Sequence, residues 1–178
     1  MPTLVKKYGA VAQLFHWLVV LLLVAQYAVA WTMPDIRRDT LPVGLVAWHL
    51  SLGTAILGVM ILRAWWRLSH PAPETEGPTL LRRLAVAGHL ALYLLLFLVP
   101  ILGWINASSR GYEVKLLGRI VLPALSPTGS TFGHATGDVH AFFAWVLIVI
   151  AVLHVLAALF HHFVLRDGTL KRMMPGGR

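Results

Sequence analysis

The chain has 178 residues, 58% of them hydrophobic and only 12% charged, with no cysteine and a mean hydropathy of +0.74. Soluble domains carry about 25% charged residues, so this composition excludes a soluble enzyme, a nucleic-acid binder and a secreted disulfide scaffold. The formal charge of +8 then reports membrane topology, and the lack of thiols leaves any cofactor to His, Met, Tyr or carboxylate side chains.

All 22 charged residues fall outside four windows, 8–34, 40–62, 84–109 and 139–165, each long enough for the roughly 20 apolar residues that cross a bilayer. The first predicts a helix over about 11–33, with His16 near its start. Lys6 and Lys7 ahead of it and Ala28-Val29-Ala30 inside it imitate a signal peptide. Its apolar stretch is about twice a normal h-region, which reads as an uncleaved anchor. The second window predicts a helix over 42–65, with His49 near its start and Arg63 near its end. The third predicts a helix over 84–107, carrying His89 and a Pro100 expected to kink it.

Residues 120–137 are also free of charge, but Pro123, Pro127, Gly129, Gly133 and several Ser and Thr predict a loop along the membrane surface, with His134 exposed in it. The fourth helix is predicted over 139–165, with His140, His154, His161 and His162, and a tail of about a dozen residues follows. No repeat or linker breaks the pattern. The expected fold is an all-α integral membrane four-helix bundle, one domain over residues 1–178.

An even number of spans puts both termini on one side of the membrane. That side gathers Lys6, Lys7, Arg63, Arg67, Arg82, Arg83, Arg166, Lys171, Arg172 and Arg178; the other has Arg37, Arg38, Arg110, Lys115 and Arg119. The bias predicts cytoplasmic termini and a cytoplasmic middle loop. Asp35, Asp39, Glu113 and Asp138 reduce the outer side to about +1, which reads as solvated loop charge rather than a funnel for an anionic reductant.

The histidines carry the chemistry, because an ionisable side chain inside a bilayer is expensive. His140 and His154 are fourteen residues apart, which on a helix separates them by about 40° and roughly 21 Å of rise. Alternating helix directions bring His16 to the level of His154 in the cytoplasmic half, and His49 to the level of His140 in the outer half. A zinc site takes four protein ligands, or three with water. Two imidazoles per level suit haem, whose own nitrogens fill the plane. Ala144, Ala151 and Ala158 lie near the His140–His154 face and leave room for a flat ring, although small residues also serve plain helix packing. Arg63, fourteen residues after His49, returns to the same face. It is a candidate partner for haem propionates and equally a positive flank of the span. Two six-coordinate b-type haems would form a transmembrane electron wire rather than an oxygen-binding site. His89 is expected to bond a propionate or a neighbouring helix rather than replace His16 as a ligand. His70 is expected in an exposed loop.

Gln13-Leu14-Phe15-His16-Trp17, Trp48-His49, Gly88-His89-Leu90, the run from His140 through His154 to His161-His162, and the ending Leu170-Lys171-Arg172-Met173-Met174-Pro175 resemble the bacterial cytochrome b561 family over nearly the whole chain. The resemblance implies a four-helix, di-haem protein of the bacterial inner membrane that exchanges electrons with ubiquinone. It implies His16 and His154 as axial ligands of the cytoplasmic-side haem iron, and His49 and His140 of the periplasmic-side one. It further implies superoxide as a reductant on the periplasmic side, and His161 as a hydrogen-bond and proton partner of the quinone, which suits an imidazole titrating near neutrality. His162 points about 100° away from His161 and is expected at the interface. Glu74 and Glu76 depart from the more basic middle loop that the resemblance leads one to expect. Two other functions share these features: an anchor subunit passing electrons between a partner dehydrogenase or hydrogenase and the quinone pool, and a small transporter whose histidines relay protons.

Overall fold

In the computed structural model, which describes residues 8–37, 39–71 and 79–174, four helices follow one another up and down. They are α1 (Ala10–Thr32), α2 (Leu45–Ser69), α3 (Thr79–Ser109) and α4 (Thr131–Phe160), the last continued by a π-helical turn, His161–Leu165. All four are long and apolar enough to cross a membrane. They are also apolar on their outer faces, where Leu21, Val24, Leu94 and Val155 are exposed, the mark of helices whose surroundings are hydrocarbon. The ends of the bundle are called here the terminal end, where the described chain starts and finishes, and the loop end, which holds the α1–α2 and α3–α4 connections. Lys6, Lys7, Arg38, Glu74, Glu76, Pro175 and Arg178 lie outside the described residues.

Several boundaries differ from expectation: α2 runs on to Ser69 rather than 65, and α3 spans Thr79–Ser109 rather than 84–107. The second helix starts at Leu45 rather than 42, because Gly44 adopts φ +57° and breaks the helical path before it. The larger difference is in 120–137, expected as one loop. It opens with β2 (Ile120–Val121), which pairs with β1 (Lys115–Leu116) just ahead of it in a short hairpin, and from Thr131 onward it is already α4. Ser130 caps that helix by accepting the Gly133 N–H at 3.1 Å. Of the two glycines read as turn markers, Gly129 is one, with φ +79°, whereas Gly133 is a site of close approach, as is Gly137. A Cβ on Gly133 would meet the Ser109 Cβ at 2.5 Å, and one on Gly137 would meet Asn106 Nδ2 at 2.8 Å. Asn106 also donates to the Gly133 and His134 carbonyls, at 3.1 and 3.0 Å, so the first turns of α4 are clamped to α3. His134 is therefore helical, although exposed as expected, with Nδ1–H on the Ser130 carbonyl at 3.0 Å.

Halfway along the bundle, Val19 of α1, Ile56 and Met60 of α2, Leu95, Leu96 and Val99 of α3, and Leu147 of α4 form one buried layer. Pro100 lies inside α3, which stays helical through it. Helix α3 packs along α4, α1 along α2, and α2 along α3, while α1 and α4 have no comparable backbone approach among the described residues. Both ends are tied. At the loop end the Tyr112 hydroxyl donates to the Thr40 carbonyl at 2.6 Å, and the Trp104 indole to the Pro123 carbonyl at 3.1 Å. At the terminal end the tail folds back on α1: Gln13 Nε2 donates to the Arg172 carbonyl at 3.2 Å and Trp17 Nε1 to the Met173 carbonyl at 2.8 Å.

Candidate functional site: two crossed histidine pairs

The buried layer separates two pairs of imidazoles. At the loop end, His49 of α2 and His140 of α4 have ring centroids 6.0 Å apart and planes crossed at 83°. At the terminal end, His16 of α1 and His154 of α4 have centroids 6.4 Å apart and planes at 66°. The two pairs sit one above the other because His140 and His154 share a helix face fourteen residues apart. Two metal–imidazole bonds of about 2 Å, plus about 1.2 Å from each nitrogen to its ring centre, call for roughly 6.4 Å between centroids. Both pairs meet that separation.

The loop-end pair is held in detail. His140 donates Nδ1–H to the Val99 carbonyl at 2.8 Å, which leaves Nε2 as the nitrogen free to ligate, the usual arrangement of a metal-binding His. Its ring occupies space left by Gly103. Gln26 Nε2 lies 3.1 Å from His49 Nδ1, while the Gln26 Oε1 is buried without a partner. Around the two rings is a cavity of about 660 Å³, counting the open space at its mouth, lined by Leu23, Tyr27, Gly53, Leu96 and Ala144 among others. It is apolar with a few placed polar groups, as ligand sites usually are. Ala144, Ala151 and Ala158 are all partly covered on the inner side of α4, and the Ala144 carbonyl accepts from the Tyr27 hydroxyl at 2.5 Å.

The terminal-end pair has a third neighbour. His89 of α3 lies 5.3 Å from His154 between centroids, and its Nδ1–H bonds the Ala85 carbonyl at 2.6 Å. His89, the rival to His16 that the sequence offers at this level, thus comes beside His154, with its Nδ1–H bonded within its own helix. The 5.3 Å spacing is about 1 Å too short for an iron between His89 and His154, whereas the His16 spacing fits. Arg63 lies at this level, close enough to His16 and His154 to interact electrostatically, with its guanidinium 5.3 Å from the Tyr93 ring.

Beyond this pair, His161 contacts Asp167: Nδ1–H to Oδ2 is 2.6 Å. His162 is half-buried with its ring against Phe163, and His70 is exposed and stacked on Trp66. Sequence reasoning missed Gln26, Gly103, the Val99 carbonyl and Asp167. An amide in the middle of an apolar span was the available signal for Gln26; the other three depend on contacts between segments distant in the helix wheel or beyond its end.

Comparison with known proteins found a match over residues 7–176 to the family model described as prokaryotic cytochrome b561. The chain is 33% identical to the probable superoxide oxidase CybB of Yersinia pestis, over 97% of this chain and 98% of that protein. It is 32% identical to cytochrome b561 homolog 2 of Escherichia coli (strain K12), over 95% and 92%. It is 29% identical to cytochrome b562 of Cereibacter sphaeroides, over 89% of each.

Proposed function

Since the chain belongs to the prokaryotic cytochrome b561 family of membrane electron-transfer proteins, we propose that it binds two non-covalent haems b and couples oxidation of superoxide to reduction of ubiquinone. The observation that carries this reading is the matched separation of the two crossed pairs, 6.0 and 6.4 Å, on opposite sides of a buried apolar layer. His49 and His140 would hold one haem at the loop end, and His16 and His154 the other at the terminal end. The superoxide assignment is supported by the likeness to the Yersinia pestis protein.

In this reading the chain is a single domain in the bacterial inner membrane with cytoplasmic termini, so the loop end meets the periplasm. When bound, the haems supply reversible one-electron chemistry. The rest falls to the protein. The Val99 carbonyl fixes the His140 tautomer. Met60, Leu96 and Leu147 keep water out of the layer between the two sites, and Arg63 balances propionate charge at the terminal end. His161, near the interface, hydrogen-bonds ubiquinone and gives it protons.

The test is direct. Purified protein should contain two haems b per chain, and added superoxide should reduce them and yield ubiquinol faster than the spontaneous reaction. A colourless protein refutes the haem assignment, and haem reduction by superoxide no faster than background refutes the superoxide one.

A further inference from the structure

The end of α4 is built in an unusual way. After Phe160 the helix widens into the π turn His161–Leu165, and Arg166 then adopts the left-handed conformation, φ 53° and ψ 33°. A non-glycine residue rarely takes that conformation, and it reverses the chain. The reversal lays Asp167 back over the turn it has just left. The Asp167 N–H donates to the His161 carbonyl at 3.2 Å, and its Oδ2 accepts His161 Nδ1–H at 2.6 Å. The other carboxylate oxygen, Oδ1, accepts the Thr169 N–H at 2.9 Å, so the carboxylate is held from both sides.

A carboxylate is disfavoured at a helix C-terminus, where the macrodipole is negative. Its place here is accounted for by the imidazole it grips, and His162, the next residue, has no such partner among the described residues but turns onto Phe163. Burial alone would raise the Asp167 carboxyl, but the hydrogen bonds from His161 and Thr169 outweigh it and hold the group below its ordinary value. Asp167 therefore stays ionised at neutral pH. The side chains of His161 and Asp167 are 26% and 40% exposed, enough to exchange protons with water. Among the described residues, the other charged or titratable groups at this end include His162, Arg166, Lys171 and Arg172 on the tail, Tyr8 and Arg67 beside it, and Arg82 and Arg83 in the first turns of α3. Asp167 is the acidic group in contact with His161.

We propose that Asp167 is a positioning residue for proton delivery to the quinone: it fixes the proton on His161 Nδ1 and so presents Nε2–H to the quinone oxygen. This rests on the reading that His161 faces the quinone. Reduction of one ubiquinone takes two electrons, from two superoxide ions oxidised to dioxygen, and two protons. Each proton leaves Nε2 of the charged imidazole for a quinone oxygen, and Nε2 takes another from water. The Nδ1–H bond to Asp167 persists throughout, and the carboxylate stabilises the charged ring between transfers.

The test uses the full-length, haem-loaded protein in lipid nanodiscs with a short-chain ubiquinone, following ubiquinol formation from pH 5.5 to 9. Asp167→Asn should slow the reaction about tenfold or more at neutral pH, within the range of general acid catalysis. It should also move the alkaline fall of the rate to lower pH, because the charged imidazole loses its carboxylate partner. Asp167→Glu should restore most of the rate, and reduction of the haems by the donor should be unchanged in both variants. If Asp167→Asn keeps the wild-type rate and pH profile while His161→Ala is slow, the role of Asp167 is refuted and that of His161 stands. If His161→Ala is also unaffected, the quinone reading itself falls. Slowing of Asp167→Asn equally at every pH, with no rescue by Glu, makes the residue merely structural and also overturns the proposal.

Discussion

Gly103 and His140 share one space: a Cβ on Gly103 would lie 3.0 Å from Cε1 and 3.1 Å from Nδ1 of the His140 ring. Helix α3 thus receives the imidazole in a notch, and the Val99 carbonyl one turn away takes its Nδ1–H. A glycine inside a helix costs roughly 1 kcal/mol relative to alanine, and here it provides a seat for the His140 ring. Gly103→Val should displace the ring, break the Val99 bond and reduce haem content to about one per chain. Haem quantitation of the purified variant checks this, and two retained haems with an unchanged spectrum would contradict it.

Removing the imidazoles one at a time should separate the two sites. His140→Ala should lose the loop-end haem and keep the terminal-end one; His154→Ala should do the reverse. His89→Ala should retain both, because its spacing to His154 does not admit an iron. Low-temperature difference spectra and haem counts distinguish the three variants.

Gln26 offers a way to tune one site alone. With Nε2 of His49 ligating, Nδ1 carries a proton and needs an acceptor. Turning the Gln26 amide brings its otherwise unpartnered Oε1 onto that nitrogen. Such a bond makes the imidazole a stronger donor to iron. Gln26→Leu should therefore raise the midpoint potential of the loop-end haem, by on the order of 1 kcal/mol per electron, the scale of one net hydrogen bond. The terminal-end haem should not move. A redox titration that resolves two components reads both values.

The Asp167 carboxyl also predicts an acid limit. A carboxyl whose value is lowered in the folded state adds stability above its unfolded value of about 3.9 and loses it as pH falls through the lower folded value. The tie between Asp167, His161 and Thr169 should thus contribute at every pH from about 5 upward while His161 retains its Nδ1–H, and vanish only in strong acid. Wild type should resist proteolysis of its C-terminal tail better than Asp167→Asn at pH 5 to 7, and the difference should shrink as the pH falls below the ordinary aspartate value of about 3.9.

The four spans and the face shared by His140 and His154 were readable in the chain, because both follow from short-range rules. A bilayer demands about 20 uncharged residues in a row, and the helical period returns a side chain to its face after fourteen. The composition also excluded thiolate chemistry outright. The first turns of α4 were not readable. Gly133 and Gly137 signal a turn and a close helix contact with the same letter, and only the approach of Ser109 and Asn106 decides between them. The same holds for His89, Gly103 and Gln26, whose partners lie on other helices. Asp167 is six residues from His161 in sequence, yet a regular helix would have carried them apart. The left-handed turn at Arg166 brings them together. Residue types and their spacing along each helix thus determined what the chain offers in its membrane. Packing between helices, which periodicity does not encode, decided which of those groups meet and which nitrogen of each ring is left free.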